Sequence, residues 1–148
     1  MTGAFSIRRS QPADVPVLLQ IWRRSVDATH DFLSGEDRAA IDRAVAHDYL
    51  PFAQFLVAID PEGAPVGFLG STGREIDSLF VDPAVHGRGV GRLLVESFAR
   101  SAVGSLRVEV NEQNAGACAF YERLGFRVTG RSPLDGQGRA YPLLQLER

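Results

Sequence analysis

Twice between Ser78 and Phe126 the chain runs from an apolar strand through a turn of small or amide residues into a helix. The first unit is Leu79-Phe80-Val81-Asp82-Pro83 followed by His86-Gly87-Arg88-Gly89-Val90-Gly91-Arg92-Leu93-Leu94. The second is Val108-Glu109-Val110-Asn111-Glu112-Gln113-Asn114 followed by Ala119-Phe120-Tyr121-Glu122-Arg123-Leu124-Gly125-Phe126. Strand, helix and next strand in that order predict a crossover between parallel neighbours, which restricts the fold to a sheet with helices packed on it.

The segments on either side complete the sheet. Phe5 to Arg9 alternates as a short strand, and Pro12-Ala13-Asp14 opens a helix with Val15, Leu18, Leu19, Trp22 and Val26 on one face. That pattern lapses around Thr29-His30-Asp31-Phe32. Ser34, with Asp37 three residues on, then caps a second helix that runs to about Asp48 and is stopped by Pro51. Beyond it the period changes to two, predicting strands at Gln54–Ile59, Pro65–Ser71 and Glu75–Val81 joined by turns at Asp60-Pro61-Glu62-Gly63 and Ser71-Thr72-Gly73. Further strands are expected at Leu106–Val110, Phe126–Arg131 and Tyr141–Leu146, with helices after the glycine-rich turn and over Ala115–Leu124. The order β-α-α-β-β-β-α-β-α-β-β is α+β with a mixed sheet, read as one domain over residues 1–148.

Composition removes several function classes. A net charge of −2 lacks the basic surface that nucleic acid requires, so no nucleic-acid partner is expected. All 16 basic residues are arginine, which excludes Schiff-base catalysis and a phosphate-loop lysine. Cys118, the lone cysteine, can form no internal disulfide and fits a reducing compartment as a small buried residue of a helix. No apolar run reaches the ~20 residues that span a bilayer, and no leader pattern precedes the first strand, so a cytoplasmic protein with no membrane partner is expected. His30, His47 and His86 lack ligand spacing, and no metal is expected.

The turn His86 to Gly91 leads directly into a helix. Its glycines permit close backbone approach, and amides at the positive end of a helix dipole suit an anion, with Arg88 and Arg92 adding charge. A dinucleotide fold would place a third glycine where Arg92 stands, and a Walker loop would need a lysine.

These residues resemble the GCN5-related N-acetyltransferase superfamily, whose cofactor loop, Gln/Arg-x-x-Gly-x-Gly/Ala, is matched by His86-Gly87-Arg88-Gly89-Val90-Gly91 except at His86. Asn114 and Phe120-Tyr121-Glu122-Arg123-Leu124-Gly125-Phe126 match a second family block, and the element order agrees along nearly the whole chain. Trp22 to Leu33, Asn111-Glu112-Gln113-Asn114 and Tyr141-Pro142-Leu143-Leu144 are similar to the YjaB-type group of small bacterial acetyltransferases. The resemblance implies acetyl-CoA bound where two parallel strands splay. Leu79, Phe80 and Val81 would then pair with the pantetheine arm, the amides from Gly87 through Arg88, Gly89, Val90 and Gly91 to Arg92 would hold the pyrophosphate, and Asn114 and Tyr121 would lie near the thiol.

Such a reaction needs a neutral amine, and an alkyl amine of pKa ~10.4 is neutral in roughly one molecule in 2,500 at pH 7. Glu109, a charge between Val108 and Val110, is the expected base; Glu75 and Asp77, acting through water, are rivals, and a reaction with no single base is the remaining alternative. Tyr121, two helical turns or roughly 10 Å beyond Asn114, is the expected donor to the leaving thiolate. Trp22, Asp27, Thr29, His30, Asp31 and Phe32, at the break between the first two helices, are the expected acceptor-side residues, an aromatic wall with carboxylates for a cationic small-molecule or peptide amine. The rival reading is a non-catalytic acyl-CoA-binding or sensing module. A monomer and a homodimer paired through the last strand are both compatible with the pattern.

Overall fold

The computed structural model describes residues 4–29 and 32–148. Seven strands form one mixed sheet in the order β1-β2-β3-β4-β5-β7-β6. They are β1 (Ser6–Arg9), β2 (Phe55–Ile59), β3 (Pro65–Thr72), β4 (Glu75–Val81), β5 (Arg107–Asn111), β6 (Arg127–Ser132) and β7 (Leu143–Glu147). All neighbours pair antiparallel except β4 and β5, which are parallel as the crossover requires. The helices are α1 (Val15–Thr29), α2 (Gly35–Ala44), α3 (Val90–Ser101) and α4 (Ala115–Arg123).

Two apolar layers hold the helices to the sheet. On one face Leu18, Ile21, Trp22 and Val26 of α1 pack on Phe55, Val57, Ile59 and Phe68, with Leu50 after α2. On the other, Val90, Leu94, Val95 and Phe98 of α3 and Tyr121 of α4 pack on Ala58, Leu69, Ile76, Val108 and Val110. Gly67 admits α3 at close range, since a Cβ there would lie 3.3 Å from Val90 Cγ1 and 3.1 Å from the Phe80 carbonyl oxygen.

Three local departures from the sequence reading bear on the site. The second helix stops being α-helical at Ala44 and widens into a π-turn over Val45–Tyr49, closed by the Leu50 amide on the Val45 carbonyl at 2.9 Å. Ser34 does cap α2, its Oγ accepting from the Asp37 amide at 3.1 Å. The return half of a capping box is absent, because the Ser34 amide donates to the Tyr141 hydroxyl at 3.3 Å while Tyr141 and Arg139 both engage Asp37. Thirdly, β4 carries a bulge: Gly70 faces Ser78 and Ser71 faces Ile76, so Asp77 has no opposite partner.

Candidate active site

The parallel pair decides where a site forms. β4 and β5 register only at Glu75↔Arg107 and Ile76↔Val108, and beyond these two rungs the strands diverge. The Asp82 amide donates to the Val66 carbonyl at 2.8 Å, so by antiparallel alternation the main-chain groups of Leu79 and Val81 turn away from β3 into the gap. The loop that follows twists through Gly87 at φ +79° and Gly89 at φ +80°. Gly89 is the N-cap of α3, and no side chain caps that end, so the first-turn amides remain available to a ligand. Gly91 is needed for close packing, as a Cβ would stand 3.1 Å from the Phe120 ring.

A cavity of about 500 Å³ fills this gap, within the usual size of small-molecule sites. Leu79, Phe80, Val81, Gly87, Gly89, Val90, Gly91, Arg92, Asn114 and Tyr121 all line it. Of the expected cofactor residues only Arg88 does not; it is exposed on the loop. His86, where the motif departs from its pattern, folds back so that its Nε2 donates to the Val81 carbonyl at 3.0 Å. That bond occupies one of the strand-end groups expected to meet pantetheine and leaves those of Leu79 facing the gap.

Polar groups inside the cavity are few. Asn114 caps α4, its Oδ1 accepting from the Ala117 amide at 3.0 Å, while its side-chain nitrogen makes no hydrogen bond among the described residues. Tyr121 packs edge-on between Phe120 at 5.0 Å and Phe126 at 5.2 Å, and its hydroxyl makes no hydrogen bond among the described residues. Burial pushes its pKa far up, so the phenol stays protonated. Ser25 and Thr29 of α1 close the opposite side, with the Thr29 hydroxyl donating to the Ser25 carbonyl at 2.7 Å. The sequence reading set Thr29 among the acceptor-side residues and passed over Ser25, although both continue the inward face of α1 at the spacing set by Trp22 and Val26. Cys118 lies outside the lining, its thiol pushed up chiefly by burial, in keeping with a packing role.

Glu109 sits otherwise than its apolar neighbours suggested. Val108 and Val110 point into the core while Glu109 points to the opposite face, exposed, where its carboxylate accepts from Gln145 Nε2 at 2.9 Å. Its place between two valines reflects strand alternation. It does not line the cavity, but it stands one residue past the last rung, at the mouth of the split. Asp77 occupies the matching position on β4 and accepts from the Thr72 hydroxyl at 2.6 Å; Glu75 belongs to the paired part of the strand.

Of the expected acceptor-side residues, Trp22 is buried against Phe80, ring centres 6.4 Å apart. Asp27 faces Arg38 at 3.0 Å and is absent from the walls of the main cavity and of the one beside α1, Phe32 lies 6.0 Å from the Tyr141 ring, and His30 and Asp31 fall outside the described residues. A second cavity of about 330 Å³ opens on the α1 side, lined by Trp22, Val45, Tyr49, Phe68, Asp77, Ser78 and Phe80. The Tyr49 and Ser78 hydroxyls share a 2.7 Å hydrogen bond there. Among the described residues no cluster of histidine, cysteine and carboxylate side chains is placed to hold a metal ion, and no helix is long and apolar enough to cross a membrane.

A mixed sheet split between two parallel strands, with a glycine-turned helix start at the opening, defines a class. Residues 51–128 match the family described as an acetyltransferase (GNAT) domain; the chain belongs to that family and is an N-acetyltransferase rather than a non-catalytic binding module. It is 50% identical over 141 residues to the peptidyl-lysine N-acetyltransferase YjaB of Salmonella typhimurium, covering 95% of this chain and 96% of that one. The solution structure of apo-form YjaB from Escherichia coli superposes with a TM-score of 0.92 at 48% identity, covering 98% of this chain and 97% of that one. The PaiA N-acetyltransferase of Thermoplasma acidophilum, solved with coenzyme A, shares the fold at a TM-score of 0.75 and 20% identity, covering 97% of this chain and 98% of that one.

Proposed function

We propose that the protein transfers acetyl from acetyl-CoA directly to the ε-amine of a lysine in a peptide or protein, with both substrates bound together. One observation carries this reading: the split between β4 and β5 is continuous with the turn at Gly87 to Arg92, so a thioester in the gap and a diphosphate at the α3 amides belong to one ligand. The half-identical relatives named for peptidyl-lysine acetylation support the acceptor class. Leu79 and Asn114 orient the pantetheine end, and Arg92 adds charge at the diphosphate.

The chemistry then needs two proton movements. Glu109 takes a proton from the incoming ammonium, directly or through water, at the mouth of the split. The neutral nitrogen attacks the carbonyl carbon, the carbon–sulfur bond breaks, and its electron pair leaves on sulfur. Tyr121, kept protonated by burial, donates a hydrogen bond to that sulfur while keeping its own proton, and the surplus proton of the acylated nitrogen passes to the sulfur to complete the thiol. The products are an acetylated amine and coenzyme A with its free thiol.

Release of coenzyme A on incubation with acetyl-CoA and short lysine peptides tests this, with polyamines, aminoglycosides and free amino acids alongside. Turnover is expected with lysine peptides and not with the same peptides carrying acetyl-lysine. Coenzyme A binding with no turnover on any lysine peptide would overturn the proposal.

A further inference from the structure

Among the described residues three polar or charged ones are buried: Asp14, Ser25 and Ser78. Asp14 is met by Arg8 and the Gln11 amide, and Ser78 shares a hydrogen bond with Tyr49. Ser25 has 6% of its surface exposed, yet its hydroxyl makes no hydrogen bond among the described residues. A serine inside a helix either turns its hydroxyl to water or bonds the carbonyl one turn back, as Thr29 does to Ser25 at 2.7 Å. Ser25 makes no such bond, and a buried hydroxyl left unpaired costs stability. It lies on the wall of the main cavity, where a ligand can supply the missing partner. Its neighbours fix the side from which it comes. Trp22 stands edge-on to Phe80 at 6.4 Å and Arg24 reaches Asp82 at 2.6 Å, so α1 crosses the outer end of β4. Ser25, one turn past Trp22, therefore reaches the cavity from the sheet face that carries Phe68, whereas Tyr121 reaches it from the face that carries α3.

We infer that the Ser25 hydroxyl donates a hydrogen bond to the acyl oxygen of the bound thioester. The inference rests on the proposed function and adds the side chain that meets the charge arising on that oxygen. With the sulfur held at Tyr121 on the α4 side, the acetyl group projects across the split towards α1, whose polar residues on the wall are Ser25 and Thr29. The Thr29 proton is committed to the Ser25 carbonyl, so Ser25 brings the donor. As the amine nitrogen bonds to the carbonyl carbon, the carbonyl π pair moves onto oxygen. It returns when the carbon–sulfur bond breaks, and Ser25 keeps its proton throughout. A donor so placed binds the oxyanion more strongly than the ground-state carbonyl, because its partner gains charge between the apolar walls of Leu79, Phe80 and Val81.

Ser25→Ala removes one oxygen and suits a helix, so the fold is kept. The direct test is infrared difference spectroscopy of acetyl-CoA labelled with carbon-13 at the thioester carbonyl, bound without any acceptor. In the native protein the carbonyl band should move to lower frequency on binding, and in Ser25→Ala it should stay nearer its free position. Loss of a packing contact alone would not move that band. With a lysine peptide, kcat should fall by ~10²-fold in Ser25→Ala, while the affinity for coenzyme A, which has no acyl oxygen, is unchanged by calorimetry. A carbonyl band that is the same in Ser25→Ala as in the native protein would overturn the assignment, whatever the rate. A band shift that depends on Ser25, in a protein that acetylates no lysine peptide, would uphold the contact and instead remove the reading of the acceptor.

Discussion

Tyr121 has 5% of its surface exposed, a raised pKa and an unpartnered hydroxyl at the wall of the main cavity. A group so placed is an acid or a hydrogen-bond donor at neutral pH, not a base. Tyr121→Phe should lower kcat by ~10²-fold with coenzyme A affinity nearly kept, which stopped-flow turnover and calorimetry separate. Asp14 offers a test of stability instead. Its carboxylate accepts from Arg8 at 2.8 and 2.9 Å and from the Gln11 amide at 2.7 Å, and the Arg8 bond holds its pKa below the usual range. A depressed carboxylate contributes its full stability above the unfolded value of ~3.9 and loses it as pH falls through the folded one. The Tm advantage of the native chain over Asp14→Asn should therefore persist at pH 6 and shrink towards pH 3. Tyr121 and Asn114 were legible because a motif carries them. Ser25, Tyr49 and Ser78 were not: each is an ordinary polar residue whose exposure to a cavity depends on a helix face, a π-turn or a bulge.

Among the elements, α3 shows how a turn prepares a binding end. Gly89 takes φ +80° as its N-cap and contributes no side chain, so the dipole end is left for an external anion. Gly89→Ala forces a left-handed alanine at ~1–2 kcal/mol, read as a lower urea midpoint, and should also weaken coenzyme A binding in calorimetry. Strand and helix order were readable because hydrophobic period survives in a single sequence. The bulge in β4 was not: Asp77-Ser78 interrupts the alternation of Glu75 to Val81, but the extra residue exists only relative to β3. For the same reason Glu109 looked buried among valines, whereas one face of β5 is covered and the other open. The α2 cap shows a tertiary substitution: Tyr141, more than a hundred residues away in sequence, takes the place that Asp37 would fill in a local box.

At the scale of the whole molecule, the chain that is proposed to acetylate lysine contains none. Incubated with acetyl-CoA, it should gain no acetyl-lysine by peptide mass spectrometry, whatever its concentration. The sheet itself has an unusual mechanical layout. Only two rungs stitch β4 to β5, so β1 to β4 and β5 to β7 form two leaves along one weak seam. A thioester arm lying in that seam would act as a missing row of stitches. Occupancy and cohesion are then a single quantity: at 100 times Kd, acetyl-CoA should add about 2.7 kcal/mol of stability. Amide exchange should slow first along the facing edges of the two leaves.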